Sequence, residues 1–182
     1  LSLASNAASC LGRILALPVT SQLDFPHWDN SAMDGYAVRA SDVQQVPTTL
    51  QIGEEIPAGR APIKKVDPDQ AARILTGALM PVGADTVVMQ EEATRDGDQV
   101  TILQVPQPKS FVRHRGSFYQ AGAELLPAGQ VILPAEIALL AAAGQTQVNV
   151  LRRPRIAILS TGSELVSPPQ SLQPGQIVDS NQ

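Results

Sequence analysis

The chain has 182 residues, 43% of them hydrophobic and 16% charged, as expected for one or two ordinary globular domains rather than a disordered chain. A net charge of −4 and a pI near 5.1 supply no broad positive field for nucleic acid or anionic membranes. Aromatic residues make up only 3%, which argues against stacking on exposed bases as the main business of the chain.

One cysteine, Cys10, excludes an internal disulfide and a cysteine metal cluster, and points to a reducing cytosol. The longest apolar candidate, EIALLAAAG at 136–144, falls well short of the roughly 20 residues of a membrane helix. The opening segment LSLASNAASCLGRILALP lacks the basic start of a secretory signal. The chain starts without a methionine and stops just after a turn-like segment, so a piece of a longer protein is expected.

Leu3, Ala7, Leu11, Ile14 and Leu15 recur close to helical spacing, so a helix is expected over 3–17, stopped by Pro18. VTSQLDFPHWDN reads as a loop or an edge strand. From Tyr36 to Pro108 short apolar runs are cut by Gly, Pro and Asp. TLQIGEEI, AARILTG, DTVVMQEE and DQVTILQV read as strands, and Asp96-Gly97 marks a hairpin between two of them. Residues 21 to about 117 therefore predict a compact β-rich domain.

GAELLPAGQVILPAEIALLAAAG at 122–144 predicts two short strands and then a helix, with Pro134 in its first turn and Gly144 past its end. TQVNVLRRP follows as a strand and a basic linker; Arg152, Arg153 and Arg155 are either solvated or bind an anion. RIAILSTGSEL at 155–165 carries a continuous apolar run, the mark of a strand buried on both faces in a parallel sheet. It ends at Thr161-Gly162, where an open α/β sheet places ligands.

Three turns carry residues that could do chemistry. Asp34-Gly35 is either a tight turn, the form its dipeptide favours, or a turn that also holds a carboxylate to bind a metal ion or, with a raised pKa, to transfer a proton. Thr76-Gly77 is either a strand cap or a hydroxyl for an oxyanion or hydrated cation. Thr161-Gly162-Ser163-Glu164 could aim backbone N–H groups at a phosphate from a helix start, with a metal ion offsetting Glu164, or be an acidic first helical turn. In FVRHRG, alternation puts Arg113 and Arg115 on one side of a strand, suited to a phosphate or carboxylate or simply a solvated edge. His27 and His114 lack ligand spacing, and no Ser/His/Asp set, P-loop or CxxC motif appears.

FPHWDNSAMDGYAVRASD, ARILTGALMPVGADTVVMQEE, GAELLPAGQVILPAEIALLAAAG and RPRIAILSTGSELV…PGQIVDSN occur in the order and spacing of one family. Over essentially all 182 residues the chain resembles the N-terminal part of a molybdopterin molybdenumtransferase, a family related to the C-terminal domain of gephyrin. The resemblance implies an α+β, multi-domain fold. A β-rich central domain (21–117) is inserted in an elongated linker and dimerisation domain (1–20 and 118–149), and a three-layer α/β molybdopterin-binding domain begins over 150–182.

The implied activity belongs to molybdenum cofactor biosynthesis: Mg²⁺-dependent insertion of molybdate into adenylylated molybdopterin, with release of AMP. Asp34, Thr76 and Glu164 match the family's catalytic positions, with Asp34 and Glu164 as metal ligands. Thr161, Gly162, Ser163, Arg113 and Arg115 are the implied cofactor-binding residues. The resemblance further implies a cytoplasmic homodimer in which Asp34 and Thr76 face the partner's Glu164. Its substrates are small molecules, a molybdopterin adenylyltransferase is a further partner, and neither nucleic acid nor membrane is bound. The 182 residues alone are expected to be inactive.

Two departures stand out. Ser117 and Phe118 replace the acid that follows the basic segment in many members, and Ser163 replaces an aspartate. A non-catalytic dimeric scaffold and a carrier that binds without turnover are the competing readings.

Overall fold

The computed structural model describes residues 1, 3 and 7–181 and divides into two units, Leu1–Val150 and Leu151–Gln182. In the first unit the strands are β1 (Val19–Thr20), β2 (Asn30–Ser31), β3 (Gly35–Val38), β4 (Thr48–Ile56), β5 (Gln70–Ile74), β6 (Thr86–Met89), β7 (Ala93–Asp96), β8 (Gln99–Ile102), β9 (Val112–Arg113) and β10 (Glu124–Leu126). Helix α1 spans Pro134–Ala142.

Six strands form one sheet in the order β6-β3-β5-β4-β8-β7, antiparallel except for the parallel β4–β5 pair. The uninterrupted apolar run of β3 follows from its place inside that sheet. Successive side chains point to opposite faces, and both faces are covered. Tyr36 and Val38 pack with Val43, Leu50, Val88, Val100 and Ile102. Ala37 packs on the other side with Ile56, Val66, Ala72, Ile74 and Val87. The Asp-Gly hairpin is present: Asp96 pairs with Gln99, and Gly97 takes φ +57°, a conformation that costs glycine little.

A third core joins segments distant in sequence: Leu3, Cys10 and Leu15 pack with Leu126, Ile132, Leu140 and Val148. Helix α1 begins with Pro134, where no backbone N–H is needed, and the Glu136 carboxylate accepts the Leu133 amide at 2.9 Å. Leu140 on α1 is fully buried, and the chain leaves the helix through Gly144 at φ +70°.

The helix expected over 3–17 does not form as such. Residues 4–6 lie outside the described residues. From there the chain makes a short 3-10 turn at Ala7–Ser9 and becomes extended. The Gly12 amide bonds to the Ile132 carbonyl (2.8 Å) and the Leu15 amide to that of Gln130 (2.9 Å), while Leu15 also bridges to Val150. These long-range partners take the N–H groups a helix would have used, and Gly12 at φ +70° breaks the helical path.

In the second unit a parallel pair, β11 (Leu165–Val166) with β12 (Ile177–Val178), is the regular structure described. The apolar run at 156–159 is not a buried strand there: Ile156, Ile158 and Leu159 are exposed and carry no strand assignment. A doubly buried strand needs neighbours along both edges and a layer on each face, and these 32 residues provide neither. Among the described residues no helix is long and apolar enough to cross a membrane.

Candidate functional site

Asp34 stands immediately before β3, and Thr76 two residues beyond the end of β5. The β3–β5 pairing, with Gly35 opposite Ile74, carries them to one end of the sheet. There Asp34 Oδ1 accepts two hydrogen bonds from Thr76, one from the amide and one from the hydroxyl, both at 2.7 Å. Both residues are exposed. Among the described residues, no group donates to Asp34 Oδ2.

The turn that presents Thr76 is fixed from several directions. The Ala78 amide closes on the Leu75 carbonyl at 2.9 Å, and Gly77 occupies φ +82°, where a side chain would be strained. The Gly77 amide then reaches the Ser31 carbonyl at 2.8 Å. The segment that presents Asp34 is equally held. The buried Ser31 hydroxyl donates to the Met33 carbonyl at 2.5 Å, and the Gln90 amide donates to the Asp34 carbonyl at 3.1 Å. Gly35 cannot be replaced without movement, because a Cβ there would lie 1.9 Å from the Val88 carbonyl oxygen.

Arg73 completes the support. Its Nη1 donates to the Gly35 carbonyl at 2.9 Å and its Nη2 to Gln90 Oε1 at 2.6 Å, with the guanidinium 5.2 Å from the Tyr36 ring centre. The amide of Thr76, then its hydroxyl, hold the Asp34 carboxyl below the usual carboxylate range against an opposing effect of burial, and the Arg73 charge adds a smaller lowering. A proton-transfer role needs the opposite shift. Asp34 is therefore an ionised carboxylate at neutral pH, suited to a cation or to orienting a donor.

Arg113 and Arg115 do not share a strand face. Strand β9 ends at Arg113, because the Ser117 amide folds back to the His114 carbonyl (3.1 Å) and Gly116 takes φ +68°. Arg115 Nε closes on Asp24 Oδ2 at 2.6 Å, and its amide donates to Asp29 Oδ1 at 2.7 Å. Arg113 instead lines a surface groove that also includes Gly77, next to Thr76.

Thr161, Gly162, Ser163 and Glu164 lie in the second unit, all exposed. No helix starts there. The Leu165 amide turns back to the Gly162 carbonyl at 3.2 Å and the chain enters β11, with Pro168 and Pro169 close behind to prevent helical continuation. The Glu164 carboxylate lies back over Gly162, 2.6 Å from where a Cβ would stand.

Among the described residues no three His, Cys, Asp or Glu side chains converge as a ready metal cage. A single open carboxylate oxygen such as Asp34 Oδ2 still fits Mg²⁺, which keeps several waters and usually takes one or two carboxylates together with substrate phosphates.

Comparison with known proteins decides the family. The model of the MoeA N-terminal region (domain I and II) matches residues 1–144. The chain belongs to the MoeA N-terminal family. A molybdopterin molybdenumtransferase of Nostoc sp. is 59% identical over 175 residues, covering 94% of this chain and 40% of the relative. Molybdopterin molybdenumtransferase 2 of Mycobacterium tuberculosis is 46% identical over 175 residues, covering 93% and 43%. The crystal structure of the molybdopterin biosynthesis moeA protein of Pyrococcus horikoshii OT3 superposes with a TM-score of 0.89 at 34% identity, over 100% of this chain and 48% of that one. This MoeA-family chain thus spans less than half the length of the relatives it matches.

Arg73 and Gln90 are not among the residues singled out from sequence. Their signal was present: Arg73 lies within AARILTG, three residues before Thr76, and Gln90 closes the strand run DTVVMQ.

Proposed function

We propose that this chain is the N-terminal part of an enzyme of molybdenum cofactor synthesis that inserts molybdate into adenylylated molybdopterin and releases AMP. The observation that carries the reading is the Asp34–Thr76 pair: an ionised, exposed carboxylate with one oxygen pinned and the other open. It lies in a chain 59% identical over 175 residues to a protein named for that transfer.

Release of AMP is a displacement at the phosphoanhydride: a water oxygen bonds to the molybdopterin phosphorus, AMP leaves with the bonding pair of the bridging oxygen, and the proton of the attacking water passes to solvent. An ionised carboxylate cannot itself approach such a poly-anion without a cation between them. Asp34, and Glu164 of the partner subunit in a homodimer, would hold Mg²⁺, which when bound neutralises phosphate and molybdate oxygens and polarises the bond that breaks. Thr76 keeps the Asp34 carboxylate aimed, and Arg73 keeps the Asp34–Gly35 backbone in place. Arg113, with no side-chain partner among the described residues, is available to an anionic substrate; Arg115 is engaged by Asp24. Thr161, Gly162 and Ser163 would add backbone and hydroxyl contacts from the second unit.

The division into 21–117, its flanks 1–20 and 118–149, and 150–182 belongs to the same reading. The separate core of Leu3, Leu15, Leu126, Leu140 and Val148 supports it. A cytoplasmic setting belongs to the same reading, and the single buried cysteine is suited to it.

The test is molybdate- and Mg²⁺-dependent AMP release from adenylylated molybdopterin by the intact protein. Release that requires both molybdate and Mg²⁺ is expected. Tight binding of the substrate with no AMP formed would replace the enzyme by a carrier or scaffold.

A further inference from the structure

The chain has six aromatic residues, and four of them meet at one place on the surface. Phe25 stacks on Tyr119 at 5.4 Å and lies tilted against Phe118 at 5.6 Å, while Trp28 borders the same groove. Trp28 and Phe118 remain 62% and 66% exposed. This shelf is not a loose loop. The Phe25 amide donates to the Tyr119 carbonyl (2.8 Å), the Phe118 amide to the Phe25 carbonyl (2.9 Å) and the Gly116 amide to the Pro26 carbonyl (2.9 Å). Asn30 Nδ2 holds the Trp28 carbonyl at 3.1 Å.

The groove in front of the shelf has a volume of about 740 Å³, enough for a molecule of several rings. Arg60 and Arg113 line it, and among the described residues neither guanidinium has a hydrogen bond or ion pair. Nearby acids are already engaged: Asp24 by Arg115, and Asp29 by His114 (3.0 Å) and the Arg115 amide. In a chain with a net charge of −4, this groove is left with two free cations beside exposed ring faces. Flat rings offer stacking and the guanidinium groups offer bidentate contacts to phosphate. Gly77 joins the groove to the turn that bears Thr76.

We propose that this groove binds a planar nitrogen heterocycle carrying a phosphate, with the ring on Trp28 and the Phe25–Phe118 shelf and the phosphate on Arg113 and Arg60. The assignment rests on the function proposed above, whose substrate carries two such units, the adenylate and the pterin. Phe118 is part of the stacking surface.

The experiment is equilibrium dialysis of the intact protein against AMP and, separately, a monophosphorylated pterin, with adenosine and inorganic phosphate as controls. Trp28→Ala and Arg113→Gln change exposed side chains, so both variants should fold. Each is expected to weaken one of the two heterocyclic monophosphates about tenfold, the loss typical of one stacked base or one paired guanidinium. Weakened AMP binding assigns the groove to the adenylate, weakened pterin binding to the pterin. Adenosine should respond only to the tryptophan change and phosphate only to the arginine change. Affinities for both monophosphates that stay unchanged in both variants would overturn the proposal. So would variants that alter only the monomer–dimer balance, which would make the groove a subunit contact. AMP release measured in parallel separates the two readings. Release with an unaltered KM in both variants removes the groove and leaves the transferase. Weakened binding with no release by the wild type does the reverse.

Discussion

Asp34 and Thr76 are 42 residues apart in sequence, yet one carboxylate oxygen of Asp34 takes both the amide and the hydroxyl of Thr76, each at 2.7 Å. The amide bond depends only on the backbone and the hydroxyl bond only on the side chain. The two can therefore be separated by mutation.

Thr76→Val removes the hydroxyl donor and keeps the amide. AMP release by the intact protein should fall roughly three- to tenfold, the range of one lost hydrogen bond, and Thr76→Ser should restore most of it. Near-identical melting temperatures would show that the loss lies in the site.

Gly35→Ala places a Cβ 1.9 Å from the Val88 carbonyl oxygen, an atom of the neighbouring strand that cannot swing aside. Strands β3 and β6 must separate, and urea unfolding should show a loss of at least ~2 kcal/mol. The same change should disturb Asp34, so activity and stability should fall together.

Ile74→Ala empties a fully buried position on β5, two residues before Thr76. The expected cost is about 2–5 kcal/mol, read from the same unfolding curves. A cost under ~1 kcal/mol would mean that the face shared with Ala37, Ile56 and Val87 is far looser than the structure shows.

Asp24 is held below the usual carboxylate range, first by the Ala121 amide and then by Arg115. Its folded pKa lies below its unfolded value, so its contribution to stability is complete above the unfolded value of 3.8. That contribution disappears as pH falls through the folded one. Asp24→Asn should therefore be less stable than the wild type by a constant amount between neutral pH and about pH 5, and the two should converge below the ordinary carboxylate pKa. Melting curves across that range provide the check.

Much of the sheet was legible because its signals are local. The Asp96-Gly97 turn, the apolar runs at 71–74 and 86–89, and the Pro134 to Gly144 frame of α1 all act within a few residues. Residues 12–16 were misread for a different reason. Their spacing suits a helix, but their amides are satisfied by carbonyls at 130–132 and 149, contacts that no local pattern shows. The run at 156–159 has the composition of a buried strand, and burial is a property of neighbours rather than of the run. In the site, the acid and the threonine could be singled out by their turn glycines. Their contact could not, since it exists only through the β3–β5 register. Composition likewise counts the aromatics without showing that Phe25, Phe118 and Tyr119 pack together beside Trp28.

The most direct measurement compares molybdate- and Mg²⁺-dependent AMP release by the intact protein with that of its Asp34→Asn variant, both verified as folded and of the same oligomeric state. Asparagine keeps the shape and one acceptor oxygen but removes the charge. The account predicts release by the wild type and a loss of about a hundredfold or more in the variant, the scale of a removed metal-orienting or charge-stabilising group. Equal release by the two proteins would contradict it and leave Asp34 as the residue that closes a turn.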